Sequence, residues 1–214
     1  MKRLITFTAI FTVVCCVSCK PKPPETPEPK PNDSIVNTPP KQYVVGEYYN
    51  KNGVQGIVYA VNAQDSTKGM IVSLDETECV WVKDVQDSTV AKFQTGATDV
   101  DDGVKNMAKI KEIGIAEYPA FDWCDKKTGG GWYLPAQNEL WNLALVCLQI
   151  QDSLEVYGTK INSTAEYWSS TQTTVTSGVG VGNAHVIKFN GGGKPNYVSV
   201  YKGATYKVRA IRAF

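Results

Sequence analysis

Beyond residue 42 the chain holds three cysteines, Cys79, Cys124 and Cys147, and a single histidine, His185. No two of these cysteines form a Cys-x-x-Cys pair, so a structural zinc site lacks its clustered thiolates and imidazoles. A Cys/His nucleophile pair has equally little support. Three thiols allow at most one disulfide. Cys79 sits in a strand-like run and Cys124 and Cys147 on helix-like stretches, so a buried free thiol is expected at each. Asp99, Asp101, Asp102 and Gly103 invite a calcium-loop reading, but that loop needs glycine one position later and glutamate where Ile110 stands. Asp101 or Asp102 reads instead as a helix N-cap. The acids Asp75, Glu76 and Glu78 read as a solvated strand end, and no metal or cofactor is expected.

Charge distribution supplies the strongest chemical signal. The whole chain is nearly neutral, with 22 Lys plus Arg against 21 Asp plus Glu, which excludes a nucleic-acid binder held by bulk positive charge. Residues 42–166 hold 10 basic and 18 acidic side chains, whereas residues 167–214 hold 6 basic and no acidic ones. The six are Lys188, Lys194, Lys202, Lys207, Arg209 and Arg212. Sharing a face, they would form a positive patch for sulfate or uronate groups, Arg by forked hydrogen bonds and Lys as point charges. The competing reading pairs them with the acidic segment of the same chain. Strand alternation puts Lys207 and Arg209 on one face and Arg212 on the other, so at most part of the cluster acts together. Tyr197, Tyr201 and Tyr206 are the aromatics best placed for sugar stacking, although a strand tyrosine is more often half-buried scaffold.

These residues must be carried by strands and helices that the pattern locates. Tyr43 to Asp84 is a run of strand signals: VVGEYY, a turn at Asn50-Lys51-Asn52-Gly53, GIVYAVN, GMIVSLDE and CVWVKD. Asn-Gly marks a hairpin because its turn needs positive φ. Val104, Met107, Ala108, Ile110 and Ile113 then recur at helical spacing. Pro135 opens a second helix, with Leu140, Leu143, Ala144, Cys147 and Leu148 on one face, that ends near Gly158. HVIKFN, a GGGKPN turn, YVSVY and YKVRAIRAF follow as strands. Strands, two helices, strands is the order of an α+β fold with antiparallel sheet.

The first residues carry an export signal, since Lys2 and Arg3 precede an apolar run from Leu4 to Val17 too short to span a membrane. Cys15-Cys16-Val17-Ser18-Cys19 resembles a bacterial lipoprotein signal, with residues 1–18 removed and Cys19 lipidated; Cys16 is the second candidate, and a plain secretory signal the alternative. Eight of the 11 prolines fall between Lys20 and Lys41. Residues 19–42 are thus a tether, able as polyproline II to hold residues 43–214 about 60 Å from a bilayer at roughly 3.1 Å per residue. Asn162-Ser163-Thr164 fits an N-glycosylation sequon. Asp33-Ser34-Ile35, Asp65-Ser66-Thr67, Asp87-Ser88-Thr89 and Asp152-Ser153-Leu154 resemble a bacterial O-glycosylation tripeptide, or are turns and caps.

Gly131-Trp132-Tyr133-Leu134-Pro135 with Glu139-Leu140, then Tyr167-Trp168-Ser169-Ser170-Thr171, then Val208-Arg209-Ala210-Ile211-Arg212, resembles the bacterial collagen-like adhesin C-terminal domain family. The resemblance covers roughly Tyr43 to Phe214 and implies a C-type-lectin-like fold on a surface or secreted protein, frequently a lipoprotein. Collagen-like adhesin members bind sulfated glycans as trimers, but no collagen repeat precedes this domain. The motif residues read as fold signature, with Trp132, Leu134, Leu140 and Trp168 packing helices on sheet. Calcium-dependent lectins need Glu-Pro-Asn or Gln-Pro-Asp and Trp-Asn-Asp; Lys194-Pro195-Asn196 and Trp141-Asn142-Leu143 lack the carboxylates. The paired reactive cysteines of formylglycine-generating enzymes are also missing.

The sequence therefore predicts a non-catalytic envelope lipoprotein on the outer membrane, whose domain binds an anionic polysaccharide through Lys188, Lys194, Tyr197, Tyr201, Lys202, Lys207 and Arg209. The alternative is a structural or protein-binding component of a surface assembly. A hydrolase would need facing carboxylates, and all acids precede Tyr167.

Overall fold

The computed structural model describes residues 39–83, 94–174 and 179–214, without the side chains of 179–181. The export signal, Cys19, the tether up to residue 38 and the Asp33 and Asp87 tripeptides lie outside the described residues. Pro39–Phe214 forms one compact unit. Residues 39–42 are exposed coil, and Tyr43 is the first buried side chain among the described residues.

Among the described residues nine strands follow in chain order: β1 (Tyr48–Lys51), β2 (Val54–Val61), β3 (Gly69–Val72), β4 (Thr77–Val80), β5 (Glu166–Gln172), β6 (Val179–Lys188), β7 (Asn196–Tyr201), β8 (Thr205–Val208) and β9 (Ile211–Ala213). One sheet has the order β1-β2-β3-β9 and the other β4-β8-β5-β6-β7. The β1–β2 turn is the predicted Asn-Gly hairpin: Lys51 pairs with Val54, and Asn52 and Gly53 have φ of 53° and 77°.

The chain crosses between the sheets twice, side by side. β3 leads into β4 through Ser73–Glu76, and β8 leads into β9 through Arg209–Ala210. Ser73 N–H donates to the Ala210 carbonyl at 2.9 Å, and Ala210 N–H donates to Ser73 Oγ at 3.2 Å. One continuous apolar core joins both sheets to the helices, from Ile57, Ile71 and Trp81 through Leu140 and Leu143 to Trp168 and Val186.

The helices are α1 (Gly103–Ile113), α2 (Pro119–Asp125), α3 (Gln137–Val146) and α4 (Gln151–Tyr157). Asp102 caps α1 by accepting the Lys105 N–H at 3.0 Å. Asp99 Oδ1 accepts the N–H groups of Asp101 and Asp102, and its Oδ2 pairs with Lys105. These acids thus organise the helix entry. Cys79, Cys124 and Cys147 are free thiols, and burial pushes the Cys79 thiol up to about 11.

Three expectations are corrected. The two predicted helices are four among the described residues. α2 carries Phe121 and Cys124 inward on only seven residues, too few to display a helical period. The helix expected from Pro135 to Gly158 divides into α3, a 3₁₀ turn at Cys147–Ile150 and α4. The second sheet is mixed, because Tyr167 of β5 pairs with Lys207 of β8 in parallel. YKVRAIRAF is two strands in two sheets, and the change of sheet at Arg209–Ala210 ends the simple alternation.

Candidate functional site

Arg209 is fully buried where the chain changes sheet. Its Nη1 donates to the Ser73 carbonyl at 2.9 Å; its Nη2 donates to Glu76 Oε2 at 3.0 Å and to the Thr159 carbonyl at 2.7 Å. Glu76 also receives Lys207 Nζ on Oε1 at 2.8 Å and the Tyr167 hydroxyl on Oε2 at 2.9 Å. Lys207 and Arg209 do share a side, as alternation predicts. That side faces a carboxylate of their own chain, not solvent.

Lys202 is also fully buried. Its Nζ lies 4.1 Å from the Trp81 ring centroid and donates to Gln172 Oε1 at 3.0 Å. The same oxygen accepts the Thr95 N–H and hydroxyl. Burial lowers the Lys202 ammonium from 10.5 to about 7, because the interior disfavours the charged form. Arg212 is half-buried and donates from Nη1 to the Gly129 carbonyl at 3.0 Å. Three of the basic residues expected to contact a ligand are thereby corrected: Lys202 and Arg209 are interior and Lys207 is neutralised by Glu76 and Glu78, while Arg212, expected on the other face, serves a loop.

Lys188, Lys194, Tyr197 and Tyr201 remain exposed. All four belong to the β6–β7 hairpin, in which Lys188 pairs with Asn196 and Ile187 with Tyr197. Asn190 Nδ2 bonds the Lys194 carbonyl at 2.7 Å and fixes the turn. Tyr197 is 51% exposed, Val198 39% and Tyr201 45%. His185 is half-buried on β6, its ring 5.4 Å from that of Tyr197, and burial lowers its pKa. Tyr206 is only half-buried and packs edge-on against Trp168.

β7 is the outer strand of its sheet, and among the described residues nothing pairs with its far side. It differs from the other three outer strands. β1 has four residues with Lys51, β4 four with Glu78, and β9 three with Arg212; β7 has six and no charge. Charges and shortness are the usual means of keeping an edge from pairing with another chain. β7 uses neither. Sequence reasoning missed Val198 as an exposed residue of the outer strand, although an uncharged Tyr-Val-Ser-Val-Tyr run signalled it.

The motif residues are occupied structurally. Glu139 Oε2 accepts the N–H groups of Gly103 at 3.0 Å and Ala136 at 2.8 Å, joining the starts of α1 and α3, while its Oε1 accepts the Tyr133 hydroxyl at 2.7 Å. Gly103 is needed there, since a Cβ would stand 2.8 Å from Glu139 Oε2 and 2.6 Å from the Leu134 carbonyl. Trp168 Nε1 donates to the Cys79 carbonyl, Ser170 Oγ accepts from Asn106, and Thr171 Oγ1 donates to the Asp99 carbonyl. Asp65 and Asn162 each accept the N–H and hydroxyl of the threonine two residues on, so the Asp65 tripeptide and the sequon form side-chain-closed turns.

The solved structure of a fimbrial protein from Bacteroides ovatus is similar to this chain, with a TM-score of 0.62 at 16% identity. The likeness covers 80% of this chain and 49% of that one, so the chain spans about half the length of the fimbrial protein. It shows a shared α+β fold. No family model and no curated protein matches the chain. Among the described residues no helix is long and apolar enough to cross a membrane.

Proposed function

We propose that this chain is a non-catalytic, exported lipoprotein, attached through Cys19 to the outer membrane, whose C-type-lectin-like domain is a protein-binding component of a surface assembly. The observation that carries the reading is β7: a six-residue, uncharged, exposed outer strand in a molecule whose other outer strands are short and charged. An extended partner segment adding to such an edge gains main-chain hydrogen bonds, and Tyr197, Val198 and Tyr201 supply side-chain contact. The fimbrial protein of the same fold supports the assembly context. Of the basic residues first assigned to an anionic polysaccharide, the exposed Lys188 and Lys194 alone keep that role open.

A photo-crosslinking residue at position 198, in cells producing the full chain, tests the reading. A discrete protein adduct that survives high salt and is lost in Tyr197→Ala/Tyr201→Ala is the expected result. A polysaccharide adduct, lost at high salt and in Lys194→Ala, would overturn it in favour of the glycan. Fatty-acid labelling that disappears in Cys19→Ala tests the anchor.

A further inference from the structure

A cleft of about 410 Å³ opens between the first sheet and α2, away from every residue discussed above as a ligand contact. That volume falls in the range of small-molecule pockets. One wall is made by the half-buried Trp123 and the edge of Trp132, whose Nε1 is committed to the Thr128 carbonyl at 3.1 Å. Opposite stand Gln55, exposed on β2, and Asp75, from the segment that crosses between sheets. Lys127 lies between them. Its Nζ sits 3.9 Å from the Trp123 ring centroid and donates to Asp75 Oδ1, and its side chain is only 12% exposed.

Three polar groups in the cleft have hydrogen-bonding capacity that the fold does not use among the described residues. The Gln55 amide has two donors and an acceptor, Asp75 Oδ2 is an acceptor, and the Thr128 hydroxyl is both. Neighbouring donors and acceptors beside an aromatic wall complement vicinal hydroxyl groups, each of which gives and takes one bond, with the C–H face of a ring against an indole. The charges select further. Asp75 and Lys127 neutralise each other, and Lys126 is paired with Asp122. A sulfate or uronate entering the cleft would meet the Asp75 carboxylate and would have to part it from Lys127.

We infer that this cleft is a binding site for a neutral saccharide, with the ring on Trp123 and its hydroxyls held by Gln55, Asp75 and Thr128. Lys127 is the positioning residue: it fixes the Asp75 carboxylate and the Trp123 indole relative to one another. The site is separate from the β7 edge and does not depend on the function proposed for that edge.

The full chain is titrated with D-glucose, D-galactose, D-mannose, N-acetyl-D-glucosamine, cellobiose and maltose, and with D-glucuronate and glucose 6-sulfate, by calorimetry and indole fluorescence. At least one neutral sugar is expected to bind saturably with a change in tryptophan emission. Gln55→Ala and Asp75→Asn should each weaken it tenfold or more. The Gln55 side chain is exposed and makes no hydrogen bond among the described residues, so Gln55→Ala should keep the parent melting temperature and separates lost binding from lost fold. Tyr197→Ala should bind as the parent does. No saturable binding of any neutral sugar, equal affinity in Gln55→Ala, or tighter binding of the glucuronate or sulfate, would overturn the assignment.

Discussion

The sheet crossing and the β6–β7 hairpin draw their basic residues from the same acid-free C-terminal stretch, yet they use them in opposite ways. At the crossing, Arg209 and Lys207 converge on Glu76, which the β3–β4 connection delivers from more than a hundred residues earlier. At the hairpin, Lys188 and Lys194 stay in solvent, and the strand between turn and edge carries no charge at all. For these four residues the role follows from whether the topology brings an acid. The crossing is fastened by charge and hydrogen bonds; the hairpin keeps its lysines and its outer strand exposed.

Breaking the crossing should have the largest effect. Arg209→Ala would strand Glu76 beside Lys207 and remove three hydrogen bonds, and the loss expected in chemical denaturation is about 3–5 kcal/mol, the cost of dismantling a buried charge pair. A loss under about 1 kcal/mol would mean that the crossing does not hold the two sheets together. Glu139→Ala should come next, at about 2 kcal/mol or more, since two helix-start N–H groups and the Tyr133 hydroxyl lose a buried acceptor. Glu139→Gln, which keeps an acceptor oxygen, should recover part of it.

Lys202 tests the interior by pH. Its folded value is about 7 against an ordinary 10.5, so between these limits the unfolded chain binds more protons, and stability should rise with pH across that window. Below about 7 both states carry the proton and the lysine adds no further slope. Lys202→Met should flatten the rise between pH 7 and 10 relative to the parent; unchanged curves would show that Lys202 is solvated. The smallest effect belongs to the edge. Tyr197→Lys should change stability by no more than about 0.5 kcal/mol, as for surface positions generally, while abolishing the adduct formed from position 198 by charging the strand. An edge substitution that unfolds the protein would erase the contrast drawn here.

How legible the molecule was from its residues differs by region. The Asn52-Gly53 hairpin, the Asp102 cap and the scaffold role of Trp132 and Trp168 were readable, because each depends on local spacing or on side-chain size, whereas the inward face of α1 was not: Val104, Ala108 and Ile113 are exposed, and Gly103 and Asn106 are buried with Met107 and Ile110. α2 and the break at Cys147–Ile150 were not, since seven residues show no period and a 3₁₀ turn preserves the apolar face across the break. The basic patch was half legible: alternation placed Lys207 and Arg209 together but could not say what lay opposite. The Gln55, Asp75 and Trp123 cleft was invisible, because its walls come from three separate segments.

By itself the sequence determined the α+β order of elements, the hairpin and cap positions, the aromatic core residues and the separation of acid from base along the chain. These are consequences of local conformation and of hydrophobic patterning. The tertiary structure alone decided that Glu76 meets Arg209 and Lys207, that Lys202 is taken out of water against Trp81, and that β7 lies at the outside of its sheet. Burial and pairing are properties of the assembled sheets, and no residue carries them until its neighbours from distant segments are in place.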